Sequence, residues 1–475
     1  MKDYSHALTE ISCRIWDYAE LKFDEVKSAE EIASFLEGEG FSTTRGIAGM
    51  PTAFSASWGK GSPVIGFLGE YDALSGLSQE ANIAEKRPVP GQECGHGCGH
   101  NLLGVAAAGA ALKLRDYLKE NERLGTVVFF GCPGEEGGSG KAYMARAGVF
   151  DALDAALTWH PGGGNAVMTG SMMANYQVYY RFRGRSSHAA TAPHLGRSAL
   201  DAVELMDVGV NYLREHIEPT DRIHYAILNT GGTSPNVVQN HAEVLYLIRS
   251  TDAEKVKALY ERVNLVARGA AMMTETEVEI IFDKAASSTL SNAVLEDVLY
   301  NSMQNVPLPV YSETELSFMK AVKDTFRDLD PAADMSISFL PNREKRRYAE
   351  QYNHALMANF IVEHHHLDVN VAGSSDVGDV SHTVPTAQFV AATAAPGTPA
   401  HSWQMVALGK SSTAMKGMLY AADVLANAGR QLVENPCLLK KAREEFENET
   451  GRQKYRCPIP DRILPHKNVN ELEKC

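Results

Sequence analysis

The sequence predicts an α/β fold in which a mostly parallel sheet carries an inserted ferredoxin-like α+β domain. In the first third of the chain, short apolar runs alternate with amphipathic segments, which is typical of parallel strands flanked by helices. From residue 172 to 286 the predicted order becomes β-α-β-β-α-β, a ferredoxin-like order. Because 475 residues exceed what one hydrophobic core organises, we expect one domain of 1–171 with 287–475, and a second of 172–286.

The elements of the first part follow from the spacing of apolar residues. Residues 7–38 place apolar side chains at helical spacing and predict a helix, and the Ala-rich segment 103–118 predicts another. Three compact apolar runs, 64–68, 126–130 and 155–158, predict buried strands. Polar and glycine-rich residues follow each run, so the carboxyl ends of these strands are where we expect functional side chains.

The middle of the chain alternates apolar and polar residues, as in a strand with one solvated face. Val178, Tyr180 and Phe182 show this alternation. The elements predicted after them are a helix over 198–216, strands over 223–228 and 243–248, a helix over 254–272 and a strand over 278–282.

The last part returns to the α/β pattern. We expect strands at 369–371 and 388–392 and a helix over 417–428. Residues 302–350 are more polar and predict a loop-helix excursion, and the charged tail after Pro436 has no clear periodicity.

Composition excludes several classes of function. The formal net charge is −14 and no run of Lys or Arg interrupts it, which disfavours a nucleic acid or an anionic membrane surface as partner. No apolar stretch approaches the roughly 18 residues of a membrane span, and the first twenty or so residues lack the apolar core of a signal peptide. The seven cysteines are unevenly spaced. We therefore expect a cytoplasmic protein with reduced thiols.

The glycine-rich run from Glu93 to Asn101 holds the densest group of metal-ligating side chains. Its glycines allow tight turns, so Cys98 and His100 can converge on one point. Cysteine with histidine suits a borderline divalent ion. A structural zinc knuckle is the alternative, but such a site draws its remaining ligands from a second CxxC or HxxxH pair, and the sequence contains no such second pair.

Adjacent carboxylates follow the strand predicted at 126–130. Glu135 and Glu136 repel each other unless a cation lies beside them, so one can bind a metal while the other accepts a proton from water. A solvated acidic turn is the alternative interpretation. His160 and His401 also follow apolar or turn-forming segments, and their number at strand-end loops favours a common site.

The inserted segment contributes three further candidates. His188 follows the strand of Val178 to Phe182, Asn236 lies in a Gly- and Pro-containing loop, and Arg249 ends a strand. Each has an ordinary surface interpretation. A functional role requires this domain to fold over the metal site.

These residues and the runs around them resemble the M20 family of metallopeptidases and amidohydrolases. The runs that carry the resemblance are 69–74, 96–103, 132–140 and 194–202, and nearly the whole chain takes part. Within the family, the subgroup that contains auxin-conjugate hydrolases and aminobenzoyl-glutamate hydrolases is the most similar. The resemblance implies a zinc-peptidase-like catalytic domain with a lid and dimerisation domain.

The resemblance also implies roles for single residues. Two divalent ions, Mn²⁺ or Zn²⁺, would be held by Cys98, His100, Glu136, His160 and His401. Glu135 would be the general base, and His188 would reach the active site of a partner in family dimers to stabilise the oxyanion. Asn236 and Arg249 would hold the carboxylate end of the substrate.

Two positions depart from the family pattern. Many members carry His-x-Asp where this chain has Glu70-Tyr71-Asp72, so Asp72 is expected to orient ligands without binding metal itself. The auxin-conjugate branch has Asp where this chain has Asn101, which moves the prediction away from that branch.

The expected reaction is hydrolysis of the amide bond of p-aminobenzoyl-glutamate to p-aminobenzoate and glutamate. Hydrolysis of other N-acyl amino acids or dipeptides, and a non-catalytic subunit role, are the alternatives. The expected partners are a small acyl-amino-acid substrate and a second chain, either in a homodimer through the lid domain or in a heterodimer with a homologous subunit.

Overall fold

The computed structural model describes residues 2–326 and 328–468, which fall into two compact units. The sheet unit comprises the chain through Ser171 together with Leu290–Val371 and Asp379–Cys457. The inserted unit comprises Met172–Thr289, Ala372–Gly378 and the described residues from Pro458 onward.

The helices begin and end as follows: α1 (Ser5–Tyr18), α2 (Val26–Gly38), α3 (His100–Glu120), α4 (Gly140–Arg146), α5 (Ala199–Leu213), α6 (Ala253–Thr274), α7 (Ala293–Asn305), α8 (Glu313–Lys323), α9 (Met335–Ser338), α10 (Asn342–His354), α11 (Val377–Ser381), α12 (Trp403–Leu408), α13 (Ser412–Glu434) and α14 (Pro436–Glu449). The strands are β1 (Ser42–Arg45), β2 (Phe54–Lys60), β3 (Val64–Glu70), β4 (Leu74–Ser75), β5 (Cys94–Gly95), β6 (Gly125–Cys132), β7 (Ala155–Gly162), β8 (Ala166–Val167), β9 (Ser171–Met172), β10 (Ala174–Arg183), β11 (Arg222–Asn229), β12 (His241–Ser250), β13 (Glu277–Ala286), β14 (Asn370–Val371) and β15 (Thr386–Ala392).

A seven-stranded mixed sheet in the order β1-β2-β6-β3-β7-β15-β8 forms the sheet unit. The four central strands β6, β3, β7 and β15 run parallel. The pairs β1–β2, β2–β6 and β15–β8 are antiparallel. The prediction of a mostly parallel sheet is therefore right for the centre and wrong for the edges, because short connections return the edge strands in the opposite direction.

Buried helices surround this sheet. Helices α3 and α13 pack against each other, and α3 also packs on β3. Their Ala, Leu and Val side chains join those of the strands in one large apolar core. The polar segment 302–350 forms helices with an apolar core of its own, which includes Met319, Ile337 and Tyr352. The predicted loop-helix excursion is thus a packed helical cluster.

The inserted unit is built on a four-stranded antiparallel sheet in the order β11-β12-β10-β13. Its elements follow the order β10-α5-β11-β12-α6-β13 along the chain. Alternate residues of β12 are buried, including Val244, Tyr246 and Ile248, as the apolar-polar alternation requires. Helices α5 and α6 pack on this sheet.

Three sequence-based boundaries differ from the structure. The helix expected over 7–38 is two helices, because Ala19 takes a left-handed backbone at the end of α1. The charged tail, which has no clear periodicity in the sequence, includes α14, which begins at Pro436, a residue suited to the first helical position. Strand β7 continues to Gly162, so His160 lies within the strand and not after it.

Two glycines set the distance between α3 and β3. A Cβ on Gly104 of α3 would lie 2.5 Å from the backbone oxygen of Glu70, and one on Gly69 would lie 3.1 Å from the Cα of Gly104. Any larger residue would therefore separate the helix from the strand. This close approach matters because α3 begins at His100 and β3 leads into Asp72.

We predict that Gly104→Ala destabilises the protein by about 1–3 kcal/mol, since the added methyl group meets backbone that cannot move aside. Gly269→Ala is the matched control. It also lies within a helix, but its Cβ would meet nothing within 4 Å, so it should stabilise by up to about 1 kcal/mol. Urea unfolding of both variants measures the difference, and equal effects would contradict the packing argument.

Candidate metal centre

The carboxyl ends of the parallel strands bring the predicted site residues to one edge of the sheet. Asp72 follows β3, Glu135 and Glu136 follow β6, and His160 lies near the end of β7. Cys98 and His100 flank Gly99, which has a φ of 77° and immediately precedes α3; His100 is the first residue of that helix. His401 follows β15, and its own φ of 53° is fixed by a backbone hydrogen bond from its N–H to the oxygen of Gly97.

Two overlapping groups of metal-ligating atoms form at this edge. Cys98, His100 and His160 make one group, and Cys98, Glu136 and His401 make the other; within each group the ligand atoms lie within 4.8 Å of one another. Cys98 Sγ is 3.3 Å from His160 Nε2, and His401 Nε2 is 3.3 Å from Glu136 Oε1. Cys98 belongs to both groups, so the five side chains form one cluster in which the two groups overlap at Cys98.

Asp72 connects the two groups without belonging to either. Its Oδ1 lies 2.8 Å from His100 Nδ1, and its Oδ2 accepts a 2.9 Å hydrogen bond from the backbone N–H of Glu136. The Asp72 side chain is fully buried. A carboxylate on Nδ1 of a histidine fixes the ring and leaves Nε2 available to a metal. In His100, that Nε2 is buried and makes no hydrogen bond.

The electrostatics of the ligands suit a cation. Burial, with the nearby His100, lowers the pKa of His160 to about 4, so its ring is neutral and has a lone pair to offer at neutral pH. Burial raises the pKa of the Cys98 thiol well above its usual range. Although burial opposes it, the neighbouring His401 and His100 hold the pKa of Glu136 at about 2.

These observations test whether a pair of divalent ions fits the residues. A partly buried thiol with a raised pKa becomes a thiolate only beside a cation, and the buried Nε2 of His100 lacks a hydrogen-bond partner. When one tetrahedral ion binds two nitrogen or oxygen atoms with bonds of about 2.0–2.1 Å, those two ligand atoms lie about 3.3 Å apart. The separation of His401 from Glu136 agrees with that value. The residues fit the ions.

Glu70 is a site residue whose role the sequence did not reveal. It replaces the histidine of other family patterns, and the structure pairs its Oε1 with Lys141 Nζ at 2.6 Å and places its Oε2 3.2 Å from His100 Nε2. Lys141 is fully buried. Glu70, His100 and Glu135 form a further group within 4.8 Å. The presence of Lys141 soon after Glu135 and Glu136 was the signal in the sequence for a buried ion pair. Its partner, Glu70, could not be predicted, because that contact depends on how β3 and α4 pack.

Glu25 is a second residue that the sequence analysis missed. Its carboxyl is buried, and Oε1 accepts a 2.8 Å hydrogen bond from the N–H of Gly134. Burial and the neighbouring Asp72 charge raise the pKa of Glu25 to about 8. Glu25 is therefore protonated at neutral pH, which removes one negative charge from the surroundings of Asp72.

Two polar residues of the glycine-rich run have structural roles. His96 Nε2 lies 3.0 Å from the backbone oxygen of Ile15. The amide of Asn101 donates to Ser12 Oγ and to the oxygen of Gly409. Asn101 thus joins α1 to the end of α12, and this explains why the departure from Asp at that position leaves the ligand groups intact.

Of the three candidates in the inserted unit, His188 and Asn236 lie close to each other. His188 pairs with Val237 in an isolated β-bridge, and the N–H of Ala189 donates to the oxygen of Asn236 at 2.9 Å. His188 and Asn236 are exposed. Arg249 is partly buried and donates to the oxygen of Ala372 at 3.2 Å, while its Nε has no hydrogen-bond partner. It pairs with Asn175 at the start of β10, whereas His188 and Asn236 lie beyond the other end of that strand, so within one chain Arg249 is separate from these two residues.

A mixed α/β sheet with cysteine, histidine and glutamate ligands at its strand ends defines a class of metal-dependent hydrolases. The sequence model of peptidase family M20/M25/M40 matches residues 66–402, and the chain belongs to this family. It is an amide-bond hydrolase.

Known relatives agree with this assignment. One subunit of p-aminobenzoyl-glutamate hydrolase from Escherichia coli is 47% identical over 458 residues, covering 96% of this chain and 95% of the relative. An aminobenzoyl-glutamate utilization protein from Klebsiella pneumoniae has a similar fold, with a TM-score of 0.59, 18% identity, and coverage of 91% of this chain and 96% of the other. A dinuclear metal-binding M20 peptidase from Bacillus subtilis has a TM-score of 0.55 and 18% identity, with coverage of 91% and 99%.

We predict that Asp72→Asn weakens metal binding by about 10- to 100-fold, because one amide oxygen cannot accept from both His100 and the Glu136 N–H. Asp154→Asn is the matched control: its carboxylate also caps β3, but at the other end, where it accepts from the N–H of Val64. Competition with a chromophoric chelator measures the affinity of each variant. An equal loss in both would show that Asp72 acts only on stability.

Proposed function

We propose that this chain hydrolyses the amide bond of p-aminobenzoyl-glutamate to p-aminobenzoate and glutamate with the aid of two divalent ions, Mn²⁺ or Zn²⁺. The observation that carries the substrate is the 47% identity to a subunit of p-aminobenzoyl-glutamate hydrolase along almost the full length of both chains. The two groups of metal-ligating side chains that share Cys98 support the binding of two metal ions.

The metal ligands in this proposal are Cys98, His100, Glu136, His160 and His401. When bound, the ions supply Lewis acidity toward water and toward the amide carbonyl. Cys98 would hold an ion together with either group of residues, while Asp72 keeps His100 in the tautomer that presents Nε2. The dinuclear centre of the Bacillus subtilis relative supports the same number of ions here.

Glu135 is the proposed general base. It lies outside both three-ligand groups that share Cys98, yet it is within 4.8 Å of His100 through the group with Glu70. A half-buried carboxylate beside the ligands can take a proton from the attacking water and deliver it to the leaving amine nitrogen. Lys141 holds Glu70 in an ion pair, so Glu70 does not compete for that proton.

The inserted unit supplies the proposed substrate contacts. His188 stabilises the negative charge that develops on the carbonyl oxygen, and a dimer allows this histidine to come from the second chain. Asn236 and Arg249 hold the glutamate carboxylates, and the unpartnered Nε of Arg249 supports this role. The inserted unit would in this way act as lid and dimerisation domain.

The same comparison supports a proposal for the assembly. The relative named as a subunit supports a complex of this chain with a homologous chain, and a homodimer through the inserted unit is the other arrangement. No helix among the described residues has the length and apolarity to cross a membrane. We propose a cytoplasmic location, in keeping with the reduced thiols expected from the uneven spacing of the seven cysteines.

The substrate assignment is tested by assaying the purified chain, loaded with Mn²⁺ or Zn²⁺ in turn, on p-aminobenzoyl-glutamate and on aspartate and neutral amino-acid conjugates. We expect release of p-aminobenzoate, with the glutamate conjugate preferred and about two ions bound per chain. Preference for another conjugate would overturn the substrate and keep the enzyme class. Activity that appears only with a homologous subunit would establish the heteromeric form.

We predict that Glu135→Gln lowers kcat by about 10²- to 10⁴-fold while the bound metal content is unchanged, because a base is lost and no ligand is removed. Glu93→Gln is the control, an exposed glutamate of the glycine-rich run that belongs to none of the ligand groups, and it should keep full activity. Loss of metal from Glu135→Gln would identify Glu135 as a ligand instead of a base.

A further inference from the structure

A second group of metal-ligating side chains lies in the sheet unit, among residues that the proposed reaction does not use. Glu296 of α7 meets His364 and His366, which belong to the run Glu363-His364-His365-His366. The ligand atoms of Glu296, His364 and His366 lie within 4.8 Å of one another.

The distances within this group match those between ligands of one ion. Glu296 Oε2 lies 3.2 Å from His366 Nδ1 and 3.5 Å from His364 Nε2. Ligand atoms on a tetrahedral ion with bonds of about 2.0–2.1 Å are about 3.3 Å apart. The two imidazole rings are perpendicular, with centroids 4.7 Å apart, so their nitrogens approach the carboxylate from different directions.

Two side chains of this group are buried, and one of them has a nitrogen without a hydrogen-bond partner. The side chain of His364 is 4% exposed and that of Glu296 is 2% exposed. The Nε2 of His364 is buried, points at the carboxylate and makes no hydrogen bond. The hydrogen-bond partner of Glu296 within the group is His366, and a carboxylate so deeply buried is stabilised most by a cation at contact distance.

Asp297 completes the arrangement. Its Oδ1 lies 3.2 Å from His366 Nε2, on the opposite side of the ring from the nitrogen that faces Glu296. A carboxylate on the far nitrogen of a histidine is the usual partner of a metal-bound imidazole. His365, between the two histidines in sequence, turns away and lies 3.4 Å from Glu344 Oε2.

We propose that Glu296, His364 and His366 bind a third divalent cation, separate from the ions of the active site. Two imidazole nitrogens and one carboxylate oxygen are a ligand set for Zn²⁺, with the fourth position left to water. The ion would fasten the segment at 363–368 to α7. Helices α8, α9 and α10 lie between Glu296 and His364 in the sequence. The ion would therefore cross-link the two ends of the segment that forms these helices.

Zinc content measured by mass spectrometry and the anomalous signal at the zinc edge test the site directly. After zinc loading and removal of weakly bound metal, His364→Gln and His366→Gln should each lose one equivalent of zinc, while His365→Gln keeps the wild-type content. His366, with its half-exposed side chain, provides the second variant should His364→Gln fail to fold. Asp297→Asn should keep the site but weaken zinc binding by about 10- to 100-fold.

An anomalous peak between Glu296 and the two histidines, absent in His366→Gln, would establish the site. Equal zinc content in the wild type, His364→Gln and His366→Gln, or no peak at this position, would show that the histidines only form ion pairs with Glu296 and Asp297. Metal content is read without any substrate, so this result does not depend on the proposed reaction.

Discussion

The candidate active site depends on one buried carboxylate that holds three chain segments together. Asp72 follows β3, lies against the ring of His100 at the start of α3, and accepts the N–H of Glu136 after β6. These segments are distant in sequence, and the parallel arrangement of β3 and β6 places their ends at the same edge of the sheet. The glycine contact between α3 and β3 fixes how closely the helix can approach, and with it the reach of His100 toward the other ligands.

Charge compensation explains why so many acidic groups can be buried at this edge. Lys141 neutralises Glu70, and burial beside Asp72 keeps Glu25 protonated at neutral pH. Of the carboxylates that remain, that of Glu136 lies with the thiol of Cys98 in a group able to hold a cation. Burial and the neighbouring charge thus decide the state of each carboxylate: Glu25 is protonated, Glu70 pairs with Lys141, and others are available to a metal ion.

The helical cluster of residues 302–350 shows how a polar segment acquires a core. Its apolar residues are too sparse to predict burial from the sequence, but α8, α9 and α10 combine them into one group around Met319 and Tyr352. The chain enters this cluster after α7, which carries Glu296, and has left it by His364. A cation between these two residues would act as a cross-link between α7 and the returning chain.

By itself the sequence determined the α/β class and the β-α-β-β-α-β order of the inserted unit, because periodicity is a local property. Ligand chemistry also singled out Cys98, His100, Glu135, Glu136, His160 and His401 as candidates, and the structure brings them to one edge of the sheet. The orienting role of Asp72 stays a prediction. Only the tertiary structure decided the antiparallel edges of the sheet, the division of the ligands into two groups that share Cys98, and the partners of Glu70, Glu25, Lys141 and His364. Each of these depends on which distant segments meet, and that is fixed by packing and burial, which no local pattern encodes.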